Sequence, residues 1–412
     1  MPAMRSRWKD QEAKGKSALD LLVYRSRLLG ADPDLVLWGG NTSSKDTARG
    51  VLWVKGSGKL LRDAKEADFC ALNLHKLRGA LPRRGMTDAE TAAFLKNCAL
   101  DPKASRPSVE TFLHAWLPFR VIDHTHPDAI LALTDTSKPR EFCRKVFGRE
   151  FVFVPVAKSG FEIAKRLLSE FGKKPGAKGA ILEKHGLVVW GEDDKACYRR
   201  TIEAASRAGE WIRKHCRNPK PFGGEVIRPF PKGKRKTLLR RIPAGMKSSM
   251  GREFPGYFCC VDDKETLEFV CSARGPALSG KGPTTPGHIY FTKRTPLFLK
   301  SNLSSEAPLD INRSGLAKQI KKFADAEKKY FRRFAGPGMR MQSPYPAVVL
   351  IPGVGMIAAG KNRRAALMTA EIYRHTIRVM RAACSIDDYR SFSPRQAFEI
   401  EYWLPGQVRQ SA

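Results

Sequence analysis

The chain has 412 residues, too many for one ordinary core, and its 42% apolar and 9% aromatic content excludes general disorder and predicts two globular domains. Its nine scattered cysteines include no C-x-x-C pair, and no apolar run reaches bilayer length, which excludes a disulfide framework, a thiolate zinc site and a membrane span. The formal net charge of +33 favours polyanions, but it is spread along the chain, so no specific nucleic-acid interface is expected.

The basic N-terminus leads into no apolar h-region, so a cytoplasmic protein without a secretory signal is expected. SALDLLVYRSRLL (17–29) has apolar residues at helical spacing. LVLWGGNTSSKD reads as strand, turn and polar loop, and VLWVKGSGKLL as a short strand into a Gly/Ser turn. SVETFLHAWL predicts a short helix with Ser108 as N-cap and Glu110 in its first turn. FRVIDHTHPDAILAL is strand-like, and GAILEKHGLVVWG is two apolar runs with a His-Gly break. DDKACYRRTIEAASRAGEWIRK predicts a long amphipathic helix. Residues 217–237 are rich in Pro, Gly and Lys and read as a basic linker between domains at 1–216 and 238–412. Beyond it, strands are expected near YFCCV, HIYFTK and AVVLI, and a long helix over about 364–381.

The chemistry concentrates in the first part. His124 and His126 form H-T-H, and residues two apart on a strand share a face. Two imidazoles on one face make half of a divalent metal site, although a polar sheet face would look the same. His185, at the break between two strands, is a candidate third ligand, since three neutral imidazoles and an open position suit a catalytic zinc ion. Glu110 is a candidate proton carrier or a simple helix-start carboxylate. The turns Gly39-Gly40-Asn41-Thr42-Ser43-Ser44 and Lys55-Gly56-Ser57-Gly58-Lys59, with Ser108, place small residues where an anion could be held, though such turns often serve only as turns.

Taken in order, G-G-N-T-S, K-G-S-G, S-V-E, D-H-T-H-P-D and K-H-G-L-V-V-W-G resemble the class II aldolase/adducin family over residues 20–215. KGPTTPGHIYFTKRTPLF, VVLIPGVGMIAAGKN and QAFEIEYWLP are similar to the region between the aldolase and dehydrogenase parts of bifunctional rhamnulose-1-phosphate aldolase/short-chain dehydrogenases, and the chain resembles their aldolase half without the dehydrogenase half. The resemblance implies an α/β fold with a central mixed sheet flanked by helices. It implies zinc or a similar divalent ion on His124, His126 and His185, with Glu110 at the proton-transfer position. It also implies phosphate contacts from Asn41, Gly56, Ser57, Gly58 and Ser108. The implied reaction cleaves a ketose 1-phosphate, rhamnulose 1-phosphate first, to dihydroxyacetone phosphate and an aldehyde such as lactaldehyde, and a homo-oligomer is expected. Val109 stands where simpler members have a second serine, which removes one phosphate donor. Alternatives on the same scaffold are a sugar-phosphate epimerase, dehydratase or decarboxylase, or a non-enzymatic adducin-like protein.

VLIPGVGMIAAG (349–360) carries the outline of a dinucleotide-binding turn. It also echoes LEKHGLVVWG: placing Gly186 on Gly355 puts Gly191 on Gly360 and Ala196 on Ala365. The same ungapped shift lays DHTHP on TKRTP, so that Lys293, Thr295 and Val354 would stand for His124, His126 and His185. A duplicated, degenerate second domain without metal ligands is therefore expected, and no NAD.

Overall fold

The computed structural model describes residues 4–251, 256–300 and 313–402. They divide into two compact units, 4–216 and 217–402. The C-terminal end of the QAFEIEYWLP motif lies outside the described residues.

The first unit is built on seven strands: β1 (Asn41–Asp46), β2 (Val51–Lys55), β3 (Phe69–Asn73), β4 (Val121–Thr125), β5 (Phe151–Val154), β6 (Gly179–Leu182) and β7 (Gly186–Gly191). Their order is β3-β2-β1-β4-β7-β6-β5, with every pair antiparallel except β5–β6. Helix α1 (Ala18–Gly30) opens with a Ser17–Asp20 capping box. Helix α2 (Thr111–Trp116) is six residues long and buried throughout. Phe112 and Trp116 pack edge-on against Phe161 of α3 (Phe161–Gly172), which anchors α2 in the main core. Helix α4 (Asp194–Lys214) starts at the Asp193 cap and crosses behind the sheet.

The sequence reading inverted one element. The apolar LVLW run is a turn, and the polar NTSSKD is the strand β1, buried between β2 and β4. Hydropathy hid it because its polar groups are satisfied by partners far along the chain. Asn41, Ser43 and Lys45 share one face and all reach α2 or the loop after it. Asn41 and Ser43 bond His114, and Lys45 Nζ donates to the carbonyls of Leu117 (2.5 Å) and Phe119 (2.6 Å). On the other face Thr42 bonds Ser26 of α1 at 2.6 Å.

Burial, with Arg78 adding to it, pushes the Lys45 ammonium down to about 7. An unfolded chain keeps that proton up to the ordinary lysine range, so between pH 7 and 10.5 the unfolded state binds more protons. This group therefore makes stability rise with pH across that window, with a slope of up to about 1.4 kcal/mol per unit. Urea midpoints of wild type and Lys45→Met, measured from pH 7 to pH 10, should differ by that slope.

The second unit carries four strands: β8 (Tyr257–Val261), β9 (Leu297–Phe298), β10 (Val348–Ile351) and β11 (Gly355–Gly360). Their order, β8-β11-β10-β9, and their directions reproduce β4-β7-β6-β5. Val348 pairs with Ala358 as Gly179 pairs with Val189. Asn362 caps α7 (Arg363–Ile386) by accepting from Ala365, as Asp193 accepts from Ala196. Lys184 and Gly353 both take positive φ, at 54° and 76°. VLIPGVGMIAAG is thus a β-hairpin and does not open a helix at its glycines.

Three further expectations are corrected. First, β8 lies on β11 so that Tyr257 opposes Gly360, just as Val121 opposes Gly191. The counterpart of the metal strand is therefore YFCCV and not TKRTP, and Cys260 and Asp262 occupy the places of His124 and His126. One ungapped shift cannot span segments that differ in length between the copies. Val354 keeps its place opposite His185, and it offers no ligand atom. Second, HIYFTK is not a strand: it lies in helix α6 (Pro286–Thr292), with Pro286 at its first turn. Here α5 denotes Lys232–Met250. Third, the segment read as a linker packs into the second unit. Phe222 stands edge-on to Phe269, Phe230 N–H donates to Gly353 O (2.9 Å), and α5 begins at Lys232, inside the expected linker.

Candidate metal centre

Strand β4, the residue that follows it and the β6–β7 turn bring His124, His126 and His185 together. His124 is on β4 opposite Asn41, His126 follows the end of that strand, and His185 sits in the turn between β6 and β7. Their ligand nitrogens all lie within 4.8 Å of one another. His124 Nδ1 donates to Leu187 O and His126 Nδ1 to Trp38 O, each at 3.0 Å. Carbonyls only accept, so both rings carry their proton on Nδ1. Their Nε2 lone pairs then face each other at 3.2 Å. Two lone pairs at that distance repel unless a cation lies between them. Two nitrogens bound to a tetrahedral zinc ion at about 2.0–2.1 Å sit about 3.3 Å apart. The donor set therefore fits a divalent metal. Burial pushes the His124 imidazolium down to about 4, so the ring is neutral at physiological pH.

Glu110 faces this cluster, with Oε1 3.1 Å from His185 Nε2 and Oε2 3.5 Å from His124 Nε2. Burial opposes its ionisation, but His124, His185 and the hydrogen bonds from His185 and Asn41 outweigh that and hold the carboxyl well below its usual range. Asn41 Nδ2 donates to Glu110 Oε2 at 2.8 Å. The helix begins two residues later than the Ser108 cap predicts: Glu110 itself is the N-cap of α2, and Ser108 Oγ accepts from Glu110 N–H at 3.3 Å.

The expected anion turns are placed unevenly. Gly39 backs the metal ligands instead of facing open space: at φ +77°, a β-carbon there would lie 2.7 Å from His126 Cε1. Gly56 pairs with Pro107, which brings the Gly56-Ser57-Gly58 turn beside Ser108. The amides of Gly56 and Ser57 already donate to Asp68 O (2.7 Å) and Arg106 O (2.8 Å). Gly58 projects into open space. Lys55 Nζ donates to the carbonyls of Gly56 and Lys59, and Lys59 pairs with Asp68 at 3.3 Å. Val109 is buried and, as a valine, brings no hydroxyl to the site.

Sequence reading missed Arg25. It is fully buried on α1, 2.7 Å from Asp123, hydrogen-bonded to Asp194 of α4, and donates to Ser43 O at 2.9 Å. A basic residue in the apolar row of a helix was the available signal.

Gly39→Ala should combine left-handed backbone strain with displacement of the His126 ring. Metal affinity should fall about 10- to 100-fold, as when support behind a ligand is lost. Competition with a chromogenic chelator measures it.

Two family models match the chain: "Class II Aldolase and Adducin N-terminal domain" over residues 21–211 and "Aldolase class II, second domain" over 237–408. The chain belongs to the class II aldolase/adducin family. A curated relative from Bacillus subtilis (strain 168), described as the uncharacterized oxidoreductase YuxG, is 34% identical over 405 residues, covering 96% of this chain and 58% of its own length. The chain thus spans less than two thirds of that relative. Among solved structures, the N-terminal class II aldolase domain of a conserved protein from Thermoplasma acidophilum is 41% identical, with a TM-score of 0.48, and covers 51% of this chain and all of its own. A sugar-phosphate aldolase from Thermotoga maritima is 17% identical, with a TM-score of 0.36, over 49% of this chain and 97% of its own. Among the described residues no helix is long and apolar enough to cross a membrane.

Proposed function

We propose that this protein is a metal-dependent class II aldolase that cleaves a ketose 1-phosphate, with rhamnulose 1-phosphate the first candidate, to dihydroxyacetone phosphate and a short aldehyde. The observation that carries this reading is the pair of Nε2 lone pairs held 3.2 Å apart beside the buried carboxylate of Glu110. His124, His126 and His185 would hold the cation, zinc being the first candidate. When bound, it would supply Lewis-acid polarisation of the substrate ketone and stabilise the enediolate charge that develops on cleavage.

The chain's own groups do the rest. Glu110, ionised and fixed by Asn41, is placed to move a proton. Cleavage breaks the bond between the third and fourth sugar carbons: the hydroxyl on the fourth gives up its proton as that carbon leaves as the aldehyde, and the third gains a proton, which completes dihydroxyacetone phosphate. Ser108 and the Gly56-Ser57-Gly58 turn would meet the phosphate, supplying binding energy remote from the broken bond. Two of the turn's amides are already engaged, so Gly58 and side-chain hydroxyls would carry that contact.

The test is metal analysis of the purified protein together with dihydroxyacetone phosphate release from a panel of ketose 1-phosphates. The reading expects stoichiometric metal that is lost in His124→Ala and His185→Ala, and cleavage of at least one panel member. Metal without any cleavage would overturn the aldolase assignment, and no metal would overturn the site.

A further inference from the structure

We propose that His114 is a positioning residue: with Ser43 it fixes which face Asn41 turns to Glu110, and so aims the proton-carrying carboxylate. The inference rests on the role given to Glu110 above. Asn41 presents Nδ2 to the Glu110 carboxylate and donates to Oε2 at 2.8 Å. The Asn41 oxygen then faces His114 Nε2, to which it is hydrogen-bonded. That oxygen can only accept, so His114 carries its proton on Nε2. His114 Nδ1 therefore accepts from the Ser43 hydroxyl, 2.7 Å away. Donors run in one direction, Ser43 to His114 to Asn41 to Glu110, and every member is buried. The tautomer is the opposite of that forced on His124 and His126 by their carbonyl partners. Burial holds the His114 ring neutral, so it works as a fixed donor.

Without His114 the Asn41 oxygen loses its partner, and the amide face is held only from the Nδ2 side, by Glu110 at 2.8 Å and Ser108 Oγ at 3.4 Å. A flipped amide would point its oxygen at the carboxylate, and the two acceptors would part. His124 and His126 take their tautomers from the Leu187 and Trp38 carbonyls and not from this bond, so the metal should stay and the loss should fall on the chemical step.

The experiment pairs a structural with a kinetic readout on the full-length holoenzyme. Nitrogen-15 spectra of histidine-labelled protein, with the signal assigned through His114→Gln, should show the Nε2–H form for His114. His114→Leu should lower kcat about 10- to 100-fold, with KM and metal content within twofold of wild type. His114→Gln, which keeps a donor amide at that position, should recover at least part of the loss. An Nδ1–H tautomer in the wild type, or a folded His114→Leu variant with unchanged kcat, would overturn the relay. A loss of metal together with kcat would mark His114 as a support of the ligands and also overturn it. Should the wild type cleave no ketose 1-phosphate, the functional reading falls, and the tautomer alone decides the relay.

Discussion

Glu110→Gln should lower kcat for ketose 1-phosphate cleavage by about 10²- to 10⁴-fold while leaving the metal in place, the range expected when a positioned proton carrier is lost. The amide is nearly the same size as the carboxylate, and two of the three imidazoles do not depend on it for their tautomer, because the carbonyls of Leu187 and Trp38 set them. The substitution therefore separates proton transfer from metal binding. His124→Ala would remove a ligand and with it both metal and activity. A coupled assay for dihydroxyacetone phosphate and elemental analysis of the same samples distinguish the two cases. A Glu110→Gln protein with near-normal kcat would move the proton-carrying role to another group. One that loses its metal would make Glu110 a ligand.

Arg25→Met should destabilise the protein by about 3–5 kcal/mol, the cost of leaving a buried charge without its partner. Arg25 joins α1 to Asp123 on β4, to Asp194 on α4 and to the Ser43 carbonyl on β1, and its side chain is wholly buried. Asp194 keeps a second partner in Arg120, 2.7 Å away, whereas Asp123 loses the ion pair that offsets its burial. Total stability of a domain is about 5–15 kcal/mol, so the variant should unfold at a much lower urea concentration. Arg25→Met combined with Asp123→Leu should recover part of the loss, because the stranded carboxylate is gone. A midpoint unchanged by Arg25→Met would show that water replaces the guanidinium without cost. Asp123 precedes His124, so the variant's metal affinity also reports how far the ion pair supports the site.

Elements with strong periodicity could be read from sequence. Helices α1 and α4 announced themselves through their apolar stripes, and β6 and β7 through two apolar runs around the His185-Gly186 break. The order of motifs carried the family, and the structure brings the three histidines and Glu110 together. What stayed hidden depended on distant partners. Strand β1 is polar because its side chains bond α1, α2 and the loop after it. HIYFTK has strand-like composition, but Pro286 and the left-handed Lys293 frame a helix. The place of the lost metal strand could not be found by an ungapped shift. Its match to YFCCV is written in backbone pairing, which side chains barely record.

Strand β1 also shows how a carboxylate can be aimed without touching a metal. Asn41, Ser43 and Lys45 are three successive rungs on one side of a strand, and each grips a different point of the segment that carries Glu110. The histidines hang from neighbouring strands and a hairpin turn. The imidazole cluster and the carboxylate thus hang from separate elements, which meet at the register between β1 and β4 and where Glu110 faces His185 and His124. Lengthening or shortening a rung would swing the carboxylate relative to a fixed ion. A lineage that needed its proton delivered to a different carbon could change reaction by editing one polar strand, with the ligands left as they are.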